Sequence, residues 1–121
     1  MDKPLIICLT PVKNEAWILD KFIQCASLWA DCIIIADQMS TDGSRDIALK
    51  YPKVRLIDND SEAFNEPERQ KLLVDAARQI HFNGQRRLLI SLDADEFLTS
   101  NFQETTVLHV YSNYQISNRF D

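Results

Sequence analysis

Asp93-Ala94-Asp95-Glu96 sets two aspartates one residue apart, with a third acid beside them. Carboxylates packed this closely repel one another unless a cation or a proton intervenes. A hard divalent cation holding substrate phosphates is the economical chemistry for such a pair. The plain alternative is a polar strand-to-loop turn, because Asp is common in turns. Alone, Asp-x-Asp does not separate the two. Its setting adds weight: the run before it, Leu88-Leu89-Ile90-Ser91-Leu92, reads as a buried parallel strand. The acids then fall where that strand ends, which is where ligands bind in open α/β sheets.

Three other places gather polar residues after an apolar run. They are Thr10-Pro11-Val12-Lys13-Asn14-Glu15, then Asp37 with Ser40-Thr41-Asp42-Gly43, then Asp58-Asn59-Asp60. Arg69 adds a cation. It precedes Leu73 by four residues and Ala76 by seven, so it shares the inward face of its helix, in the first turn. An Arg there can fork onto phosphate oxygens or pair with the acids. A surface salt bridge suits the same spacing equally well. Asp58 and Asp60 suit a turn, Lys13 a solvated loop, and Glu96 either an outer contact or exposure. Trp17 and Trp29 suit packing within the first helix. Arg86-Arg87 precedes a strand, at the end away from the acids. His81 and His109 stand far apart beside no obvious partner.

The elements that must position these residues alternate. Leu5 to Thr10 is a first strand. Asn14 can cap a helix running to about Ala30, with Leu19, Phe22, Ile23 and Ala26 on one face. Cys32 to Ala36 is a second buried strand. Thr41 and Asp42 open a short helix that must stop near Tyr51, because Pro52 follows. Val54 to Asp58 alternates as a strand nearer an edge would. Asn65-Glu66-Pro67-Glu68 starts a third helix with a cap, an early Pro and acids at the positive end. Leu73, Ala76, Ala77 and Ile80 point inward from it, and Asn83-Gly84 ends it. Arg87 to Leu92 is the fourth strand. The order β-α-β-α-β-α-β calls for a three-layer α/β/α fold on a mostly parallel sheet. A strand order of 3-2-1-4 would open a crevice between strands one and four, lined by the first-strand loop and the Asp-x-Asp. From Ser100 to Gln115 no clean period remains. Residues 1–98 therefore read as the α/β domain and 99–121 as an incomplete or atypical extension of it.

Three motifs together resemble glycosyltransferase family 2, whose members have the GT-A fold, in its opening part. They are Thr10-Pro11-Val12-Lys13-Asn14-Glu15, Asp37-Gln38-Met39-Ser40-Thr41-Asp42-Gly43-Ser44 and Leu92-Asp93-Ala94-Asp95-Glu96. They occur in family order at family-like spacing. The resemblance implies a GT-A, Rossmann-like half that binds a nucleotide diphosphate sugar, typically UDP-linked, for transfer to a hydroxyl acceptor. It implies that Thr10, Pro11 and Glu15 border the nucleoside and that Asp37 hydrogen-bonds the base. Asp93 and Asp95 would handle the ribose or sugar and a Mn²⁺ or Mg²⁺ on the diphosphate. Arg69 falls where the family often carries a basic residue near the nucleotide. Two departures stand out. Gln38 and Met39 occupy positions where the family often has Asp and Gly. The chain also ends 26 residues after Asp95, at Asp121, where the family continues into an acceptor-binding half that supplies the general base. The expectation is a truncated, donor-binding half with no transfer activity of its own. The alternative is a non-catalytic nucleotide-binding module, or a half-domain that works with a partner.

Composition bounds the rest. The 121 residues fit one small domain, 45% hydrophobic and 26% charged, which is ordinary for a globular chain. A net charge of −5 argues against a nucleic-acid binder, although a metal would still carry positive charge to an anionic donor. No apolar run approaches a membrane span and the start has no signal-peptide layout, so cytoplasmic residence is expected. Cys8, Cys25 and Cys32 have no zinc-type spacing and suit small buried hydrophobes. Glycine is scarce, with 2 in the chain, and neither a dinucleotide-binding nor a Walker loop is present. A receiver-type phosphate domain is disfavoured, since its acids at the first strand end and its late Lys are missing. An exposed edge beside the fourth strand would favour self-association into a homo-oligomer.

Overall fold

The computed structural model describes residues 4–62, 65–80 and 86–95. Along the chain run β1 (Leu5–Val12), α1 (Ala16–Ala26), β2 (Cys32–Asp37), α2 (Ser44–Ala48), β3 (Val54–Asp58), α3 (Glu66–Arg78) and β4 (Arg87–Ser91). The four strands form one parallel sheet in the order β3-β2-β1-β4. This is the mixed α/β architecture that the alternation of patterns called for.

The central strands are apolar up to Thr10 and Asp37 near their ends because both of their faces are covered. On one face Cys8, Val12, Ile33 and Ile35 meet Leu19, Phe22, Ile23 and Ala26 of α1 and Ala48 of α2. On the other, Ile7, Leu9, Ile34 and Ala36 meet Leu73 and Ala77 of α3. Burying Phe22 alone is worth about 1.5–3 kcal/mol relative to leaving it in water. Cys8 lies in the first of these cores, and burial pushes its thiol up to about 12. Cys25 and Cys32 are partly buried, and all three thiols are free.

The helix ends differ from expectation in instructive ways. Asn14 does not cap α1. It sits at φ 52, in the left-handed region that Asn tolerates, and Glu15 occupies the cap position without a side-chain cap bond. At the other end α1 stops at Ala26 rather than Ala30, and the carbonyls that follow are taken up by a lysine. Lys53 Nζ donates to the Ser27 and Ala30 carbonyls at 2.7 and 3.0 Å. Helix α2 is shorter than expected. Gly43, at φ 93, precedes it, and isolated turns carry the chain on to Tyr51. The start of α3 is as expected: Asn65 Oδ1 accepts from the Glu68 amide at 3.1 Å, with Pro67 in the first turn. Asn83-Gly84, His81, Glu96, His109 and the 99–121 extension lie outside the described residues.

Candidate functional site

The site is built where β1 and β4 end side by side. The Leu92 amide donates to the Leu9 carbonyl at 3.0 Å, which keeps the exit of β4 against β1. Two residues on, Ala94 is 1% exposed and packs into the core with Cys8, Val12 and Leu19. A small apolar residue pinned inward turns its neighbours outward, and Asp93 and Asp95 are both exposed. The middle residue of Asp-Ala-Asp is therefore a peg that fixes how the two acids are presented.

The loop after β1 is held by the turn after β2. The Asn14 amide donates to Ser40 Oγ at 2.8 Å, and Asn14 Oδ1 accepts from the Thr41 amide at 2.8 Å. The Glu15 amide donates to Ser44 Oγ at 3.0 Å. Asp42 Oδ2 accepts from the Ala16 amide at 2.9 Å, while its Oδ1 accepts from the Ser44 amide and hydroxyl at 3.0 and 2.6 Å. Those bonds, led by the one from the Ser44 hydroxyl and followed by the one from the Ala16 amide, hold the Asp42 carboxyl below its ordinary range. Glu15 shows the opposite effect. Burial and then the charges of Asp95, Asp93 and Asp42 raise its carboxyl above the usual glutamate value. The indole N–H of Trp17, close to it, offsets a little of that rise. Glu15, Asp42, Asp93 and Asp95 thus share one field of negative charge where β1 and β4 end.

The remaining expected residues are arranged around this group. Thr10, Pro11 and Asp37 are buried at the ends of β1 and β2, Thr10 with no exposure and Asp37 with 1%. Asp37 Oδ2 accepts from Arg45 at 3.0 Å and from the Ser40 amide at 3.3 Å. Arg45 continues to Asp58 at 2.5 Å, so one guanidinium ties the ends of β2 and β3 together. Those two carboxylates, Asp58 first, hold the guanidinium firmly in its charged form. Asp37 Oδ1 and Thr10 Oγ1 are buried polar atoms with no hydrogen-bond partner among the described residues. Gln38 is also buried, and its Nε2 donates to the Ser61 carbonyl at 2.7 Å. Arg69 is inward-facing, as its spacing predicts: its side chain is 14% exposed and lies 3.2 Å from Glu66. Beside it, Gln70 Oε1 accepts from Ser91 Oγ at 3.2 Å, which brings the start of α3 to the end of β4.

Among the described residues, no three His, Cys, Asp or Glu side chains are grouped closely enough to make a complete metal cage. The donors at hand are nonetheless hard oxygens, with two exposed carboxylates on one short turn. That set suits Mg²⁺ or Mn²⁺ entering with phosphate oxygens and waters, which needs only one or two protein carboxylates. Among the described residues no helix is long and apolar enough to cross a membrane. No protein-family profile matches the chain, and no curated protein matches it.

Two features escaped the reading of the sequence. Asp42 and Arg45 knit the turns together through contacts that no local spacing announces. Trp17, expected to pack, is 74% exposed. That could have been found: Trp17 precedes Leu19 by two residues, roughly 200° around the helix from the buried face.

Proposed function

We propose that this chain is the donor-binding part of a glycosyltransferase of the GT-A kind, binding a nucleotide diphosphate sugar with a divalent cation. The observation that supports this best is the meeting of Glu15, Asp93 and Asp95 where neighbouring parallel strands end. Asp95, with Asp93, would hold Mn²⁺ or Mg²⁺. When bound, that cation would neutralise the charge that builds on the diphosphate as the glycosidic bond breaks. A surplus of carboxylate where β1 and β4 end is what a protein needs if the cation is to bring an anionic ligand to it.

The chain's own residues then have distinct tasks. Arg69, in the first turn of α3 near the end of β4, would face the diphosphate. Glu15 would border the nucleoside. Thr10, Pro11 and Asp37 form the floor at the strand ends. Asp37 keeps the β2–α2 turn in place through Arg45 and so shapes the base pocket. The nucleoside is read as uridine, and the transfer as one to a hydroxyl acceptor.

Calorimetric titration of UDP and of GDP, with and without Mn²⁺, tests the reading. UDP should bind in the presence of Mn²⁺ and bind at least about tenfold more weakly without it. Asp95→Ala should abolish the metal dependence. If Asp95→Ala keeps metal-dependent nucleotide binding intact, the assignment of the cation is wrong.

A further inference from the structure

We propose that Trp17 is a stacking platform for the pyranose ring of a sugar at the mouth of the crevice. The inference rests on the reading of the crevice as a sugar-nucleotide site and names the residue that would receive the sugar. Trp17 lies in the first turn of α1, two residues after Glu15, and 74% of it is in water. Its indole N–H lies near enough to the Glu15 carboxyl to lower its pKa a little, which sets the ring beside that group of acids. Asp20, Lys21 and Gln24 make the rest of that helix side polar and exposed. A tryptophan there leaves a large apolar surface unburied, which costs solubility and gives the helix nothing in packing.

The surroundings favour a sugar as the occupant. A pyranose has an apolar C–H face bordered by hydroxyls. An indole offers a flat, electron-rich surface to the first. The carboxylates of Glu15, Asp42, Asp93 and Asp95 are acceptors suited to the second. Both the sugar of the donor and a sugar acceptor present this chemistry, and the two sources separate experimentally.

The test uses the 121-residue chain with Trp17→Ala and Trp17→Phe variants. Each is titrated with UDP, UDP-glucose and free cellotetraose in Mn²⁺, followed by calorimetry and by tryptophan fluorescence. The substitutions are at an exposed position and leave both cores untouched. If the donor's sugar stacks, Trp17→Ala weakens UDP-glucose about fivefold and leaves UDP within twofold, while Trp17→Phe keeps most of the affinity. If an acceptor sugar stacks, cellotetraose alters the fluorescence of the native chain but not of Trp17→Phe. Either result supports the inference. An equal loss for UDP and UDP-glucose would assign the ring to the base and overturn it. So would unchanged affinities with no response to cellotetraose, or a dimer in sedimentation that Trp17→Ala dissociates. If no nucleotide binds while cellotetraose still reports through Trp17, the donor reading fails and the sugar platform stands. If UDP binds and both sugar arms are flat, the platform fails and the donor reading stands.

Discussion

Glu15 is held at a cost. Its carboxylate is partly desolvated and faces the charges of Asp95, Asp93 and Asp42, so its ionised form is disfavoured in the folded chain. A carboxyl whose folded pKa lies above its unfolded value stabilises the fold only at low pH. That contribution is lost as pH rises through the folded value. Glu15→Gln should therefore melt at a higher temperature than the native chain at pH 7 in metal-free buffer. The difference should shrink toward pH 4, where the glutamate is protonated. A lower melting temperature at pH 7 would show that the carboxylate is a net structural support. A residue that destabilises its own fold is expected at a binding site. The Asp-x-Asp was readable from spacing because an apolar strand preceded it. The role of Ala94 was not, since only the packed core shows that its methyl points inward and sends its neighbours to solvent. The exposure of Trp17 was present in the phase of α1 but overridden by the usual habit of tryptophan to pack.

At the scale of elements, one side chain joins two helix starts. Asp42 accepts from the first amide of α1 and from the amide and hydroxyl of Ser44 at the start of α2. A carboxylate at two positive helix ends is favoured by both. Its lowered pKa means that the stabilisation is present above about pH 4 and lost as pH falls through the folded value. Asp42→Ala should lower the melting temperature at pH 7, and the gap to the native chain should narrow as the pH falls through the folded value of Asp42. An unchanged melting temperature would mean that the loops are held by Asn14, Ser40 and Ser44 without it. Strand and helix identities were legible because their apolar periods are strong. The caps were less so. Asn14 is the better local cap by type, yet tertiary contacts from the β2–α2 turn draw it into a left-handed bend and give the task to Asp42. At Asn65 no such competitor intervenes, and local chemistry prevails.

For the whole molecule, strand order does the assembling. With β1 between β2 and β4, the loop after β1 touches both neighbours' ends, and acids 80 residues apart in sequence, Glu15 and Asp95, share a field. Parallel topology supplies this without any local motif, because every strand end faces the same way. The parallel sheet could be anticipated from the alternation of elements, and its order is the 3-2-1-4 that sets strands one and four side by side. The side-chain ties across strand ends, Arg45 to Asp37 and Asp58 above all, could not, because they join residues that only the folded sheet brings together.

The most direct measurement is a crystal of the chain grown with UDP-glucose and Mn²⁺, with anomalous diffraction collected at the manganese edge. An anomalous peak is expected about 2 Å from an Asp95 carboxylate oxygen, beside Asp93 and the diphosphate. A bound nucleotide with both aspartates turned away and no manganese between them would contradict it.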